Sequence, residues 1–154
     1  MTGVPPGVDW PAWIEGRREM FERRPSLNQY IGLHLEDAGP GWARMRMQLI
    51  DGVMNPFGSV HGGAIAALID SAAGSAIAAG CAPDSDRIMG TIDMHVHFLE
   101  RGKGDALIAE ARMVRAGRAV AVASAQVYDA SATLVAIGTA TYRLGAPGSR
   151  RNED

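Results

Sequence analysis

The sequence predicts an α+β fold: a curved antiparallel sheet of five to six strands wrapped around one long central helix, with an extra helix in front. Three observations carry this. The stretch from Asn55 to Gly80 is a polar, glycine-rich approach followed by one long helix pattern of small residues, with a single charge, Asp70. Two alternating stretches precede it and four follow, with turn residues between them. Consecutive antiparallel strands need a cover for their apolar face, and only the central run is long and apolar enough to supply one.

In order, residues 1–9 are rich in Pro and Gly and are expected to be loose. Asp9 can cap a helix beginning near Trp10, with Pro11 tolerated in its first turn and Pro25 ending it. Trp13, Met20 and Phe21 supply an apolar stripe, and the charges from Arg17 to Arg24 read as a solvated face. From Leu27 the period changes. Ile31, Leu33 and Leu35 alternate with Gly32, His34 and Glu36. After the turn A-G-P-G, Ala43, Met45, Met47 and Leu49 oppose Trp42, Arg44 and Arg46, which makes a half-buried hairpin with His34 on its exposed side. Residues 51–61 form a loop before the helix. Ile88 to Leu99 is a strand with Ile92, Met94, Val96 and Phe98 on one face and Thr91, Asp93, His95 and His97 on the other. Ala106 to Val114, Ala119 to Tyr128 and Thr133 to Leu144 complete the sheet. Their length implies strong curvature. The expected division is an N-terminal extension over 1–26, one domain over 27–144 and a disordered tail over 145–154.

The 154 residues suit one domain with a real core. A net charge of −2 and a pI near 6.1 argue against a nucleic-acid binder. The single cysteine, Cys81, excludes an internal disulfide and suits a reducing compartment. No basic region followed by an apolar run opens the chain, so a cytoplasmic location is expected. Asp70 at the centre of residues 62–82 argues for a helix buried by protein, not by membrane.

Gly62 and Gly63 stand where backbone N–H groups lack helical acceptors, so they can hold an oxyanion. Asp70 lies eight residues on, about 12 Å along and about 80° round the helix. Oxyanion donor and acid must act within about 3 Å of the same atoms. One helix cannot supply both. Two are needed, most simply in a two-fold dimer.

The motif N-P-x-G-x-V-H-G-G-x-I-x-x-L-x-D, followed by T-I-D-M-H-V-H-F-L, resembles the hotdog-fold acyl-CoA thioesterases of the PaaI-like branch, over about residues 27–144. The resemblance implies that Asp70 is the general base or the nucleophile and that the Gly62 N–H polarises the thioester carbonyl. It implies that Asn55 positions water or carbonyl, that His61 shapes the site, and that Thr91 hydrogen-bonds the catalytic water. Asp70 and Thr91 then come from the chain opposite Asn55 and Gly62. The turn V-R-A-G-R makes Arg115, Gly117 and Arg118 candidates for CoA contacts, with Arg101 and Lys103 weaker ones. Gly63, Met54 and Phe57 are candidates near the acyl end. No cofactor is expected beyond the CoA of the substrate, and a homotetramer is the implied assembly.

Each residue has a plainer reading as well. Asn55 before Pro56 is a good turn residue. His61 can cap a helix, the glycines can serve close packing, and Thr91 is ordinary strand composition. Asp70 needs a partner such as an arginine if it is buried without function. Two other functions compete: a hotdog hydratase or dehydratase, for which the usual acid–histidine spacing is missing here, and an acyl-CoA sensor that binds without hydrolysis. His95 and His97 have metal-ligand spacing but no clear third ligand.

Overall fold

A computed structural model describes residues 7–146. Asp9 caps α1 (Trp10–Glu22): its carboxylate accepts the Ala12 N–H at 3.2 Å. A second, one-turn helix, α2 (Leu27–Tyr30), stands where the change of period suggested extended chain. The hairpin β1 (Leu33–Gly39) and β2 (Trp42–Gln48) leads through the 51–61 loop into α3 (Gly62–Gly80). Four strands follow: β3 (Ile88–Phe98), β4 (Ala106–Ala116), β5 (Val120–Asp129) and β6 (Leu134–Leu144). They form one antiparallel sheet in the order β1-β2-β4-β5-β6-β3. The tail after residue 146 lies outside the described residues.

The sheet curls around α3 because both present small apolar side chains to each other. Leu68, Ile69, Ala72, Ala76 and Ile77 of the helix are fully buried, as are Ala43, Met45, Ala109 and Ala123 on the strands. At Gly138 of β6 a side chain would sit 2.9 Å from both the His95 carbonyl oxygen and the Ile69 side chain, so only glycine lets helix and sheet approach this closely. By length and composition α3 resembles a membrane span, yet most of it is buried inside the protein.

Both sheet edges matter. At β1 the register slips between Leu35 and Asp37, and Arg18 of α1 donates to the exposed carbonyls of Leu35 (2.8 Å) and Glu36 (2.7 Å). The expected solvated charge run therefore contains one cation that covers an edge strand. Trp13 and Phe21 pack against the core as expected, but Met20 is exposed because it falls outside their stripe. We expect Arg18→Ala to cost about 1–2 kcal/mol in urea unfolding, the worth of charged donors lost from these part-buried edge carbonyls. An unchanged midpoint would show that water replaces them.

The other edge, β3, has β6 as its one neighbouring strand among the described residues and departs from the expected alternation. Its register slips twice, between Ile88 and Gly90 and between Thr91 and Asp93. Ile92 is thus the extra residue of a bulge and is 58% exposed, instead of sharing the inner face with Met94. The same slip turns Thr91 inward. It pairs with buried Tyr142, while Asp93 pairs with Thr141 on the outer face with His95 and His97.

The β5–β6 turn is organised by Asp129, whose carboxylate accepts N–H groups from Ser131 (2.9 Å), Thr133 (3.0 Å) and Lys103 (3.1 Å). The Thr133 N–H foremost, then those of Ser131 and Lys103, holds the carboxyl below its ordinary range, against the opposing pull of burial. A carboxyl depressed by folding stabilises the protein above its unfolded value, roughly pH 4, and loses that contribution as pH falls through the folded value. Thermal melts of wild type and Asp129→Asn should therefore differ most above about pH 5 and converge in stronger acid. A gap that stays constant down to pH 3 would sink this account.

Candidate active site

The loop before α3 is held by its own polar groups. Asn55 Oδ1 accepts the N–H of Phe57 (2.9 Å) and of Ser59 (3.2 Å), its Nδ2 donates to Ser59 Oγ at 2.8 Å, and its backbone N–H donates to the Ser59 carbonyl at 2.8 Å. Within this chain Asn55 is thus a turn-former. Met54 bridges Val60, and the His61 N–H reaches the Val53 carbonyl at 2.8 Å, which fixes the entry to the helix.

His61 is the N-cap residue of α3. Its Nδ1 accepts the Gly63 N–H at 2.8 Å, and its carbonyl accepts from Ala64 and Ile65. Of the two glycine donors expected to be open, Gly63's is therefore occupied. The Gly62 N–H has no acceptor among the described residues. The Phe98 ring from the end of β3 lies 3.3 Å from where a Gly62 side chain would begin, so the donor sits beneath an aromatic edge.

Asp70 is half-buried, not sealed in the core, because the stripe Gly63, Ala67, Asp70 and Gly74 faces the open side of the helix. Its partners are hydroxyls, where the plainer reading named an arginine. Thr91 Oγ1 donates to Oδ1 at 2.8 Å, and the Tyr142 hydroxyl lies 2.7 Å from both Oδ1 and the Asp70 carbonyl oxygen. The Oδ2 atom accepts no hydrogen bond from the described residues. Two hydroxyls at one oxygen fix the plane of the carboxylate, and the second oxygen keeps its lone pairs for chemistry. Thr91 reaches this position only through the β3 bulge. Tyr142 was absent from the sequence expectations; its inward place on a strand was legible, but its proximity to Asp70 was not.

The other expected residues are spread out. Met54 lines a cavity of about 170 Å³ with Leu27, Ile31, Val53, His61, Gly63 and Ala64, at the Gly62 end of the helix. Phe57 lies outside that cavity at 85% exposure. Arg115 lies at the end of β4, and Gly117 and Arg118 form the turn to β5, where the Arg118 carbonyl accepts from Arg87 at 3.1 Å. That turn lies near the C-terminal end of α3, since Met113 packs on Gly80. It is therefore about 27 Å along the helix from Gly62 of the same chain. A larger concavity, about 510 Å³, is on the outer sheet face between His95, His97, Glu110 and Arg112, with the whole sheet between it and Asp70. His95 pairs with Asp93 at 3.1 Å there, and no third metal ligand joins the histidines among the described residues.

With this geometry in place, comparison with known proteins is informative. The profile of the Thioesterase superfamily matches residues 57–136, more than half of the chain. A protein of Halobacterium salinarum, an esterase by provisional name only, is 36% identical over 127 residues, 77% of this chain and 83% of that protein. The medium/long-chain acyl-CoA thioesterase YigI of Salmonella typhimurium is 30% identical over 140 residues, covering 82% and 90% of the two chains. Among solved structures, a protein of Pseudomonas aeruginosa superposes with a TM-score of 0.73 at 27% identity, covering 80% of this chain and 97% of its own. A thioesterase of Haemophilus influenzae reaches a TM-score of 0.79 over 97% of this chain and 98% of its own; at 17% identity it speaks for the fold alone.

Proposed function

The chain belongs to the thioesterase superfamily and is a thioester hydrolase of the hotdog fold, and from that premise we propose that it hydrolyses acyl-CoA to free acid and CoA at a site shared by two copies. The observation that carries this is the pairing of an open Gly62 N–H at one end of α3 with a carboxylate held through one oxygen farther along it. The thioester carbonyl lies on the Gly62 N–H, where the helix dipole favours the developing negative charge. The free oxygen of Asp70 either takes a proton from attacking water or attacks the carbonyl itself. The tetrahedral intermediate then collapses and expels the CoA thiolate, which takes up a proton. Water attack leaves the free acid directly, whereas attack by Asp70 leaves an acyl–Asp70 anhydride that a water then hydrolyses. No cofactor takes part.

Two chains are needed because Gly62 and Asp70 of one helix stay about 12 Å apart. Antiparallel α3 helices that cross beside Ala66 and Ala67 bring Gly62 of each to Asp70 of the other, and small side chains there allow close approach. The outer edge of β3, beside which no other strand lies among the described residues, with Ile92 and Phe98 exposed, supports joining the copies along that side. The same arrangement carries the Arg115–Arg118 turn of one chain toward the helix start of the other, in favour of its contact with CoA. The cavity beside Met54, with Leu27 and Ile31, is apolar and suits an aliphatic acyl group, as the name of the YigI relative also suggests. The PaaI-like assignment rests on the H-G-G motif and its spacing to Asp70.

Steady-state CoA release from a panel of short, medium, long and aromatic acyl-CoAs tests the proposal. Turnover highest for medium aliphatic chains is expected. Tight binding without turnover of any thioester would favour the sensor reading. Light scattering should give a dimer at least, with a tetramer as the expected assembly; an active monomer at assay concentration would remove the shared site.

A further inference from the structure

We propose that Tyr142 is a positioning residue for thioester hydrolysis, holding Asp70 so that Oδ2 alone faces the reaction; this rests on Asp70 being the reacting acid. The phenol is only 6% exposed and its ring packs among Ala73, Ile77, Ala123 and Ala140. A buried hydroxyl needs an acceptor, and the Asp70 carbonyl oxygen at 2.7 Å would satisfy it alone. Yet the hydroxyl also lies 2.7 Å from Oδ1, which puts it between backbone and carboxylate of one residue.

Two further features favour a built arrangement. Thr91 and Tyr142 are direct cross-strand partners on β3 and β6, so both hydroxyls reach Oδ1 from one place on the sheet. Gly74 stands one turn after Asp70, and a side chain there would begin 2.8 Å from the Tyr142 oxygen. A glycine within a helix costs about 1 kcal/mol relative to alanine, and here it leaves the space that the phenol occupies.

The chemical result follows from donor count. Oδ1 has two lone pairs and faces two hydroxyls, the Tyr142 hydrogen being shared between it and the backbone carbonyl, so the carboxylate cannot rotate without losing both contacts. Other ionisable groups of the surrounding elements stand apart. His61 is about 13 Å back along α3. Asp93, His95 and His97 of β3 and Arg143 of β6 lie on the outer sheet face, and Tyr30 of α2 is 73% exposed.

The test compares Tyr142→Phe, Gly74→Ala and Asp70→Asn by kcat, KM and thermal melts on the best acyl-CoA of the panel. Tyr142→Phe keeps the ring. It should lower kcat roughly tenfold to a hundredfold with KM little changed, the effect of a slightly misplaced reacting group. A fall in kcat with KM held is the readout that a merely structural role would not move. Gly74→Ala, which leaves Tyr142 and Asp70 in place but crowds the phenol, should lower kcat in the same way. Wild-type kcat and KM for both variants while Asp70→Asn is inactive would overturn the role of Tyr142 alone, even if their melting points fell. Wild-type activity in Asp70→Asn would overturn the reading of Asp70 beneath it.

Discussion

Asp70→Asn is expected to lower kcat for acyl-CoA hydrolysis by about a thousandfold or more, with the fold intact. An amide has nearly the shape of a carboxylate, and its oxygen can still accept from Thr91 and Tyr142, which lie 2.8 and 2.7 Å from Oδ1. What changes is the other position. A basic oxygen with free lone pairs becomes an NH2 group that can neither take a proton from water nor attack a carbonyl. Loss of a positioned base costs about 10²–10⁴ in rate, and loss of a nucleophile costs at least as much. Asp70 is half-buried, so melting temperature should change little. Thiol release that continues at the wild-type rate would end the assignment of Asp70 to the chemistry.

Gly62→Pro should lower kcat by about a hundredfold to a thousandfold, the cost of one oxyanion donor. Proline removes the N–H and is well suited to the first helical residue, which is where Gly62 stands. The residue before it must be extended, and His61 already is, with φ −65° and ψ 131°. The Phe98 ring, 3.3 Å from the new side chain's first atom, has to yield slightly. This variant also gives the decisive test of a shared site. In a mixed dimer of Asp70→Asn and Gly62→Pro chains, one site receives both intact residues and the other receives both altered ones. Equal mixing at random should restore about a quarter of wild-type activity from two inactive parents. No recovery, in mixtures shown by mass to have exchanged subunits, would place both residues in one chain's site or outside the chemistry.

The architecture was legible because its signals are local and repeated. The alternation of Ala43, Met45 and Met47 against Arg44 and Arg46, and the long run of small and apolar residues in α3 with one charge, each belong to one element's own pattern. The entry to the helix was legible as well, since capping is a matter of adjacent residues: His61 does accept the Gly63 N–H. Misreadings arose where an element is interrupted. Leu27–Tyr30 is helical although its sequence looked like the lead-in to a strand, and a four-residue helix is too short to show a period. Thr91 was assigned to the outer face because alternation counts residues, whereas a bulge adds one without changing composition. Arg18 looked like one charge in a solvated run; only the slip in β1 gives it carbonyls to bind.

By itself the sequence determined the order of the elements, the helix that the sheet must cover, the cap at His61 and the position of one carboxylate among small residues. Those are properties of neighbours along the chain. The tertiary structure decided the environment of Asp70: half-buried, with Thr91 and Tyr142 on one oxygen and none of the described residues bonded to the other. Tyr142 is 72 residues from Asp70, and it reaches the carboxylate because β6 lies beside a bulged β3 and Gly74 leaves room on the helix. Contacts of that kind depend on register and on close approach across the core, and neither is written in the spacing of residues within one element.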